Sequence, residues 1–596
     1  MAEIEIGPSA PTVPVDLLLP GERGEQEVRC GAWSLRAADG RLDDIRFDGA
    51  RVLRGVRVVI RDRDWGTFAT TRADAHAEGA ALVVEGTSEA DGARVDWTLR
   101  ATFDDASLAL ALEARAATAF LRNRLGLIVL HGVQSFGAPL EVRHTDGAIE
   151  RIRFPDRISP HQPARDVAGL AWTADGVAVT AAFEGDVFEM EDQRNWTDAS
   201  YKTYSTPLDR PFPVSVAKGE VVRQSLALTC SGTARLRDEA ASPPRIEAVD
   251  GRFPEIQTVA SSAPTTRRPA EHRLRGVGLL AEIDPHWAGW RRSLARVLEE
   301  ADGRPVDLRI VATTPADVDT VLEAAGAAPL ARLGVFDAQR HSSTPELSAA
   351  IRRAGGERGI EVVGGVRSHF TELNRGSREL ADADAALAFS LTPFMHDTSG
   401  HQLVESLAVQ RTVLRDALAI ARGRRLHVGP VTLGARMNAV ATTPLAPGGP
   451  DVDASGYGPE HVPGATDARQ ASPSLAAWVV GSLAALARPG VDSVTYFEEW
   501  GPRGAVGTPA GRVLEWAAEL SGDTLLAVHS DALVGVGVVR REQQVLLLGN
   551  AGGAVIEPSV DGVRDWLRSG DGSRGEGPLR LGPGEAARVV RDTRPE

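Results

Sequence analysis

Cysteine is almost missing from this chain of 596 residues: Cys30 and Cys230 are the only two, far apart in sequence. Neither has metal-ligand spacing, and two thiols in so long a chain make no disulfide framework. Long apolar runs are missing as well. No stretch approaches the roughly 18 apolar residues that a membrane-spanning helix needs. Clustered positive charge is absent, and the net charge is −15. That excludes nucleic acid and an anionic membrane as expected partners, since both select basic patches. The opening "MAEIEIGPSAPTVPVDLLLP" is acidic and proline-rich. It lacks the basic segment and apolar core of a signal peptide, so a cytoplasmic location is expected. There is no G-x-S-x-G elbow, no H-E-x-x-H and no glycine-rich nucleotide turn after a strand. A serine hydrolase of that type and a dinucleotide enzyme are disfavoured, and neither a metal nor a cofactor is expected.

Lysine is the sharpest deficit. There are two, against sixty-four arginines, with four tyrosines and five asparagines. A GC-rich coding bias explains the trend and makes the exceptions informative. Where a guanidinium suffices this chain uses arginine, so a retained lysine points to a compact ammonium. "EMEDQRNWTDASYKTYS", Glu189 to Ser205, holds Asn195, Tyr201, Lys202 and Tyr204 together. Two readings compete. In one, Glu191, Asp192, Arg194, Asp198 and Lys202 form a salt-bridge network that pins one domain to another. In the other, Asn195, Tyr201, Lys202 or Tyr204 reaches a substrate pocket.

The rest of the chain divides by its periodicity. Up to about residue 245 it reads as β. In "ARVDWTLRATF", Val95, Trp97, Leu99, Ala101 and Phe103 alternate with polar residues, as do Leu108, Leu110 and Leu112 in "ASLALALEA". Asp39-Gly40 marks a hairpin. An N-terminal β-sandwich over 1–245 is expected. Residues 231–272 are polar and proline-rich and read as a connection. From about 275 apolar runs alternate with helical stretches. Thr314-Pro315, Thr344-Pro345, Ser472-Pro473 and Thr508-Pro509 each look like a cap followed by proline at the first helical position. About seven such units predict a (β/α)8 TIM-type barrel over 246–521, and renewed alternation predicts a small C-terminal β-sandwich over 522–596.

A barrel carries its chemistry at strand C-termini. With "VGLLAEI" taken as the first strand, those ends offer Glu282, Asp284 and Trp287, then "RSHFTELNR" with His369, Glu372, Asn374 and Arg375. "TPFMHDTSGHQ" adds His396, Asp397 and His401; "TLGARMN" adds Arg436 and Asn438; "TYFEEWGPRG" adds Tyr496, Glu498, Glu499 and Arg503. Glu372 and Glu499, with Glu498 as the alternative to the latter, are the expected acid and base. On this count they stand on strands four and seven, as in sugar-cleaving barrels. If a strand or helix is missing within the long Gly/Pro-rich stretch between Arg436 and Ala471, "SVTYFEE" becomes strand eight and the strand-seven position falls at Arg436.

Several stretches resemble the D-apionate lactonases. They are "FLRNRLGLIVLH", "EVRHTDG", "FPDRISPHQP" and "EMEDQRNWTDASYKTY" in the first domain. In the barrel they are "SHFTELNR", "LTPFMHD" and "DARQASPSLAAWVVGSL…TYFEEWGPRG". The resemblance covers most of the chain. It implies a β-domain, a TIM barrel and a second β-domain, and hydrolysis of a branched-sugar lactone, D-apionolactone, to D-apionate. Such chemistry needs a base to activate water, a stabilised oxyanion and an acid for the leaving alkoxide. Glu372 or Glu499 is the expected base, with Asn195, Tyr201, Lys202, Asn374, His396 and Arg436 as substrate-binding groups. The competing expectation is a glycoside hydrolase acting on a pentose or apiosyl glycoside through two barrel carboxylates.

Overall fold

The computed structural model describes residues 3–235, 243–380, 385–437, 456 and 466–592. Asn438 and most of the Gly/Pro-rich stretch after it lie outside the described residues. The first domain is one continuous antiparallel sheet of eighteen strands, and its two layers close on a single core. Strand Ala93–Phe103 buries Val95, Trp97, Leu99, Ala101 and Phe103, as its alternation predicts. Asp39 and Gly40 both have positive φ, the geometry of a tight hairpin turn, and join Trp33–Ala38 to Arg41–Phe47. The same alternation loads the opposite face with charge. Val56 and Ile60 of strand Ala50–Asp62 enter the core, while Arg57 and Arg61 point away from it.

The barrel closes with eight parallel strands: β1 Glu255–Val259, β2 Gly278–Ile283, β3 Val306–Ala312, β4 Leu330–Asp337, β5 Glu361–His369, β6 Ala386–Leu391, β7 Leu426–Val431 and β8 Val491–Glu498. Around it run α1 Trp290–Ala301, α2 Pro315–Ala325, α3 Pro345–Arg358, α4 Phe370–Arg375, α5 Gly400–Ala421, α6 Leu475–Leu486 and α7 Pro509–Glu519. β1 lies inside the segment read as a connection. It is five residues long, and what makes it a strand is pairing with β2 and with β8, far along the chain. Strand numbers therefore rise by one. Glu372 follows β5, Glu499 follows β8 and Arg436 lies in the loop after β7; the alternative count reached eight for the last strand, but the strand it lacked is β1, ahead of the first one counted.

The third module is a seven-stranded antiparallel sheet. Its edge strand is Arg245–Arg252, which pairs with Thr524–His529. The boundary expected at 245/246 thus falls within a strand of the last domain, which the chain builds from both sides of the barrel. One face of this sheet packs on α6, and Leu526, Leu546, Leu548, Leu581 and Val589 form a core on the other. Thr344 and Thr508 cap α3 and α7 through their hydroxyls, and Asp317 takes the N–H of Thr314 at 2.8 Å ahead of α2. Ser472-Pro473 behaves otherwise. The helix starts at Leu475, because Asp16 of the N-terminal segment binds the Ser472 and Ser474 hydroxyls and holds the chain out of the helix. No helix among the described residues is long and apolar enough to cross a membrane.

Candidate active site

Inside the barrel the upper layer is ionic rather than aliphatic. Glu282 of β2 accepts from Arg367 of β5 and, at 3.0 Å, from Arg436 after β7. Burial opposes its ionisation, but the two guanidiniums overcome this and hold the carboxyl at about 2. Arg367 also meets His341, after β4, at 3.2 Å. Arg436 is thereby fixed across the mouth, with its charge near the C-terminal ends of β5 and β7.

Buried polar atoms without protein partners gather where β5 runs into α4. Among the described residues these are the Ser368 hydroxyl, both ring nitrogens of His369, the Thr371 hydroxyl and Oε2 of Glu372, which lack a partner at full hydrogen-bond geometry even though Ser368 faces Glu372 and the Met437 backbone faces His369. Buried polar groups in proteins are nearly always satisfied, so such a concentration marks a place for ligand. Burial lowers the His369 pKa to about 4, with Arg436, His396 and His341 adding like charge, so this ring is neutral at neutral pH. Burial raises the Glu372 pKa, against weaker opposition from Ser368 and Arg375.

The stretch Glu189–Ser205 docks on this edge. Asp192 takes the N–H of Arg194 at 3.2 Å and caps a tight turn over Gln193–Trp196; Thr197, with φ of 72°, ends it. The turn carries Asn195 through Asp198 onto α4 and the loop after β6. Oδ2 of Asp198 lies 2.7 Å from Nδ1 of His396, and the Trp196 ring meets the same imidazole edge-on at 5.3 Å. Asp198 therefore fixes the His396 tautomer with its proton on Nδ1, which leaves Nε2 as the basic nitrogen. Arg375 stacks on Trp196 at 5.2 Å, and Gln402 of α5 accepts from the Ala199 N–H at 3.1 Å.

The residues singled out from the sequence separate into groups. The charges of Arg436 and His396 both bear on His369, whose backbone hydrogen-bonds Glu372. Asn195 and Asn374 bind each other at 2.9 Å, and their remaining amide protons go to the carbonyls of Ser159, Asp192 and Ile158. They join the domains and have little left for a substrate. Tyr201 faces the N-terminal core, where its hydroxyl donates to the Pro155 carbonyl. Lys202 faces the other way, 2.6 Å from Glu191 and 4.7 Å above the Tyr204 ring.

Glu499 does not meet Glu372. Arg304, on the chain entering β3, grips it at 2.9 and 3.1 Å, and the Leu274 N–H adds a third contact at 3.2 Å. These partners belong to the outer shell. Glu498 is bound to Ser262 at 2.7 Å and Arg503 at 2.9 Å. Glu499→Gln is expected to weaken the fold by about 1–2 kcal/mol, since the partly exposed Arg304 loses its carboxylate but keeps the Val277 and Glu300 carbonyls, and to leave kcat within a few-fold. Denaturant unfolding and steady-state rates on one preparation check this.

Sequence reasoning passed over Arg61, Arg124, His341 and Arg367, named Glu282 only as a strand-end residue without a role, and read Asp198 only as part of a salt-bridge network. For the N-terminal arginines a signal existed. In "RVLRGVRVVIRD" Arg57 and Arg61 share one strand face with Val59, opposite the apolar one.

Family models cover both large domains. The N-terminal domain of D-apionate lactonase matches residues 20–233, and the TIM barrel domain of D-apionate lactonase matches residues 257–524. The chain belongs to the D-apionate lactonase family. A D-apionate lactonase from Brucella anthropi is 30% identical over 525 residues, covering 80% of this chain and 83% of the relative. The family makes the protein a hydrolase, of the sugar-lactone class. Among solved structures, a GH30 endoxylanase from Clostridium papyrosolvens aligns over 59% of this chain and 98% of its own, at 9% identity and a TM-score of 0.35. A putative aldose 1-epimerase from Escherichia coli K12 aligns over 34% of this chain and 97% of its own, at 10% identity and a TM-score of 0.26.

Proposed function

We propose that this lactonase hydrolyses D-apionolactone to D-apionate at the inter-domain mouth of the barrel, with His396 as the base. The observation that carries the reading is the Asp198–His396 pair, 2.7 Å apart, assembled from two domains beside a fixed arginine. Asp198 holds the imidazole, and Nε2 takes a proton from water as its oxygen attacks the lactone carbonyl. The carbonyl electron pair moves to oxygen, and Arg436 supplies cationic stabilisation to the oxyanion. As the intermediate collapses, the ring C–O bond breaks. Glu372, kept protonated to higher pH by burial, donates its proton to the leaving alkoxide. The imidazolium then loses its proton to solvent and Glu372 regains one. The carboxylic acid so formed loses its proton to solvent, so the products are a free hydroxyl and a carboxylate, with one water consumed and one proton released.

The glycosidase reading needs a carboxylate pair at the ends of β4 and β7. β4 ends at Asp337, which accepts from the N–H groups of Gln339 and Arg340 at 2.9 and 2.7 Å and so serves its own turn. β7 leads to Arg436.

A panel of aldonolactones including D-apionolactone, followed by proton release with and without chelator, tests the assignment. Turnover of D-apionolactone above the other lactones is expected, unchanged by chelator, and Glu372→Gln is expected to lower kcat about 100-fold or more. No turnover of any lactone by the wild-type protein, or full activity in Glu372→Gln, overturns the reading or that role respectively.

A further inference from the structure

Beside the Asp198–His396 pair, the outer face of the N-terminal sheet carries cations that no step above uses. Arg61 and Arg124 sit directly opposite each other on paired strands. Lys202 stands on the next strand, which pairs with Phe120–His131 on one side and with Phe188–Asp192 on the other. The carboxylates nearby are committed: Glu191 to Lys202 at 2.6 Å, Glu189 to the Tyr204 hydroxyl at 2.5 Å and the Leu208 N–H at 2.7 Å, and Asp198 to His396. Arg61 spends one N–H on the Trp65 carbonyl at 2.9 Å, and Arg124 spends one on the Asn123 carbonyl at 3.0 Å. The Arg124 guanidinium lies between the Trp65 and Tyr204 rings, 5.0 and 5.2 Å from their centroids. Arg124 is 7% exposed, and its Nη2 has no hydrogen-bond partner among the described residues.

Like charges directly across a strand pair repel, and desolvation makes the repulsion worse. Burial works against the charge on Arg61, and Glu191 and Asp198 offset it only in part. A fold keeps such an arrangement at a cost in stability unless an anion is meant to come there. Glu191 touches both ends of the arrangement: it pairs with Lys202, and the charge of His396 acts on it. Lys202 follows Asp198, the partner of His396, by four residues, so the cationic face and the base are neighbours.

Resting on the lactonase reading, we propose that the Arg61, Arg124 and Lys202 face is an anion subsite that takes the carboxylate of the open-chain sugar acid. A lactone is neutral at its acyl carbon, the tetrahedral intermediate carries one negative charge there, and the acid product keeps it. A site of this kind distinguishes the charged product from the neutral substrate and makes the enzyme sensitive to its own product. A compact ammonium suits the place of Lys202, which must reach Glu191 while lying over Tyr204.

Calorimetry on the full chain tests this with two acids, D-apionate and D-xylonate, and the neutral polyols apiitol and xylitol. The acids are expected to bind at least 10-fold more tightly than the polyols. Lys202→Met and Arg124→Gln are each expected to reduce acid affinity at least 10-fold while leaving polyol binding within about two-fold. Lys202→Arg, which retains the charge, keeps the preference for acid. Near-ultraviolet circular dichroism identifies any variant that has lost its fold, and the acid-against-polyol comparison on the wild-type protein does not depend on variants. Equal binding of acids and polyols by the wild type overturns the proposal, as does unchanged acid affinity in folded Lys202→Met and Arg124→Gln. Failure of the lactonase reading shows separately, as absence of D-apionolactone turnover in a protein that still selects acids.

Discussion

His396→Ala is expected to lower kcat on a sugar lactone by about 10²- to 10⁴-fold, the usual contribution of a positioned general base. KM is expected to change little, because the imidazole acts on water rather than on a substrate group. Asp198→Asn is the sharper experiment. The asparagine is nearly isosteric and can present its amide NH₂ to Nδ1 of His396. The ring then carries its proton on Nε2, the nitrogen that must be basic, and a loss of comparable size follows. His396 and Asp198 come from different domains and lie 2.7 Å apart, so the pair exists only when the domains are docked. The double variant is expected to be no slower than the slower single one, since residues acting as a unit are not additive. Initial rates of lactone hydrolysis for the four proteins decide it, and full activity in His396→Ala removes the proposed base.

The second large effect is on stability. Arg54 leaves the N-terminal domain to bind Asp397 at 2.9 Å, Glu405 at 2.6 Å and Gln402 at 3.0 Å, while Arg57 reaches the same Asp397 oxygen at 2.9 Å. Removing one partner from a buried ionic group costs about 3–5 kcal/mol, because the charges left behind stay desolvated. Arg54→Met is expected to lose that much, read as a lowered midpoint in urea unfolding. The pH dependence has a definite sign. Burial opposes ionisation of Asp397 and Glu405, but Arg57 and Arg54 hold Asp397 well below the usual carboxylate range, and Arg51 and Arg54 hold Glu405 at about 2. Their contribution is present above the unfolded carboxylate values near ~4 and is lost as pH falls through the folded ones. In Arg54→Met both folded values rise towards the unfolded ones, so acid unfolding begins at higher pH than in the wild type. Thermal unfolding followed between neutral pH and pH 2 shows the difference.

Much of the fold was legible locally. Two-residue alternation predicted the N-terminal strands and which side of each is buried, and Thr344 and Thr508 mark helix starts by the chemistry of their hydroxyls. β1 was not legible. Five residues between polar flanks carry no periodic signal, and their strand state is set by neighbours on both sides. Arg245–Arg252 was illegible for the same reason, as its partner strand follows the whole barrel. At the site, residue types singled out His396, Glu372 and Arg436, whose roles are proposed above, while Tyr201 belongs to a core and Glu499 to the outer shell. A glutamate at a strand end reads the same whether it faces the lumen or an arginine outside it.

By itself the sequence determined the three-part organisation, the family, and the stretch around Lys202 as a place where ordinary residue preferences are overridden. Those follow from local periodicity and from composition, both of which a linear chain displays. Only the tertiary structure decided what that stretch does. It sends Tyr201 inward and Lys202 outward, as alternation requires, and carries Asp198 to His396 from a domain that ends long before the loop after β6. Which carboxylate is paired, and which imidazole it meets, depends on distances between residues nearly two hundred positions apart in sequence, and no local pattern encodes them.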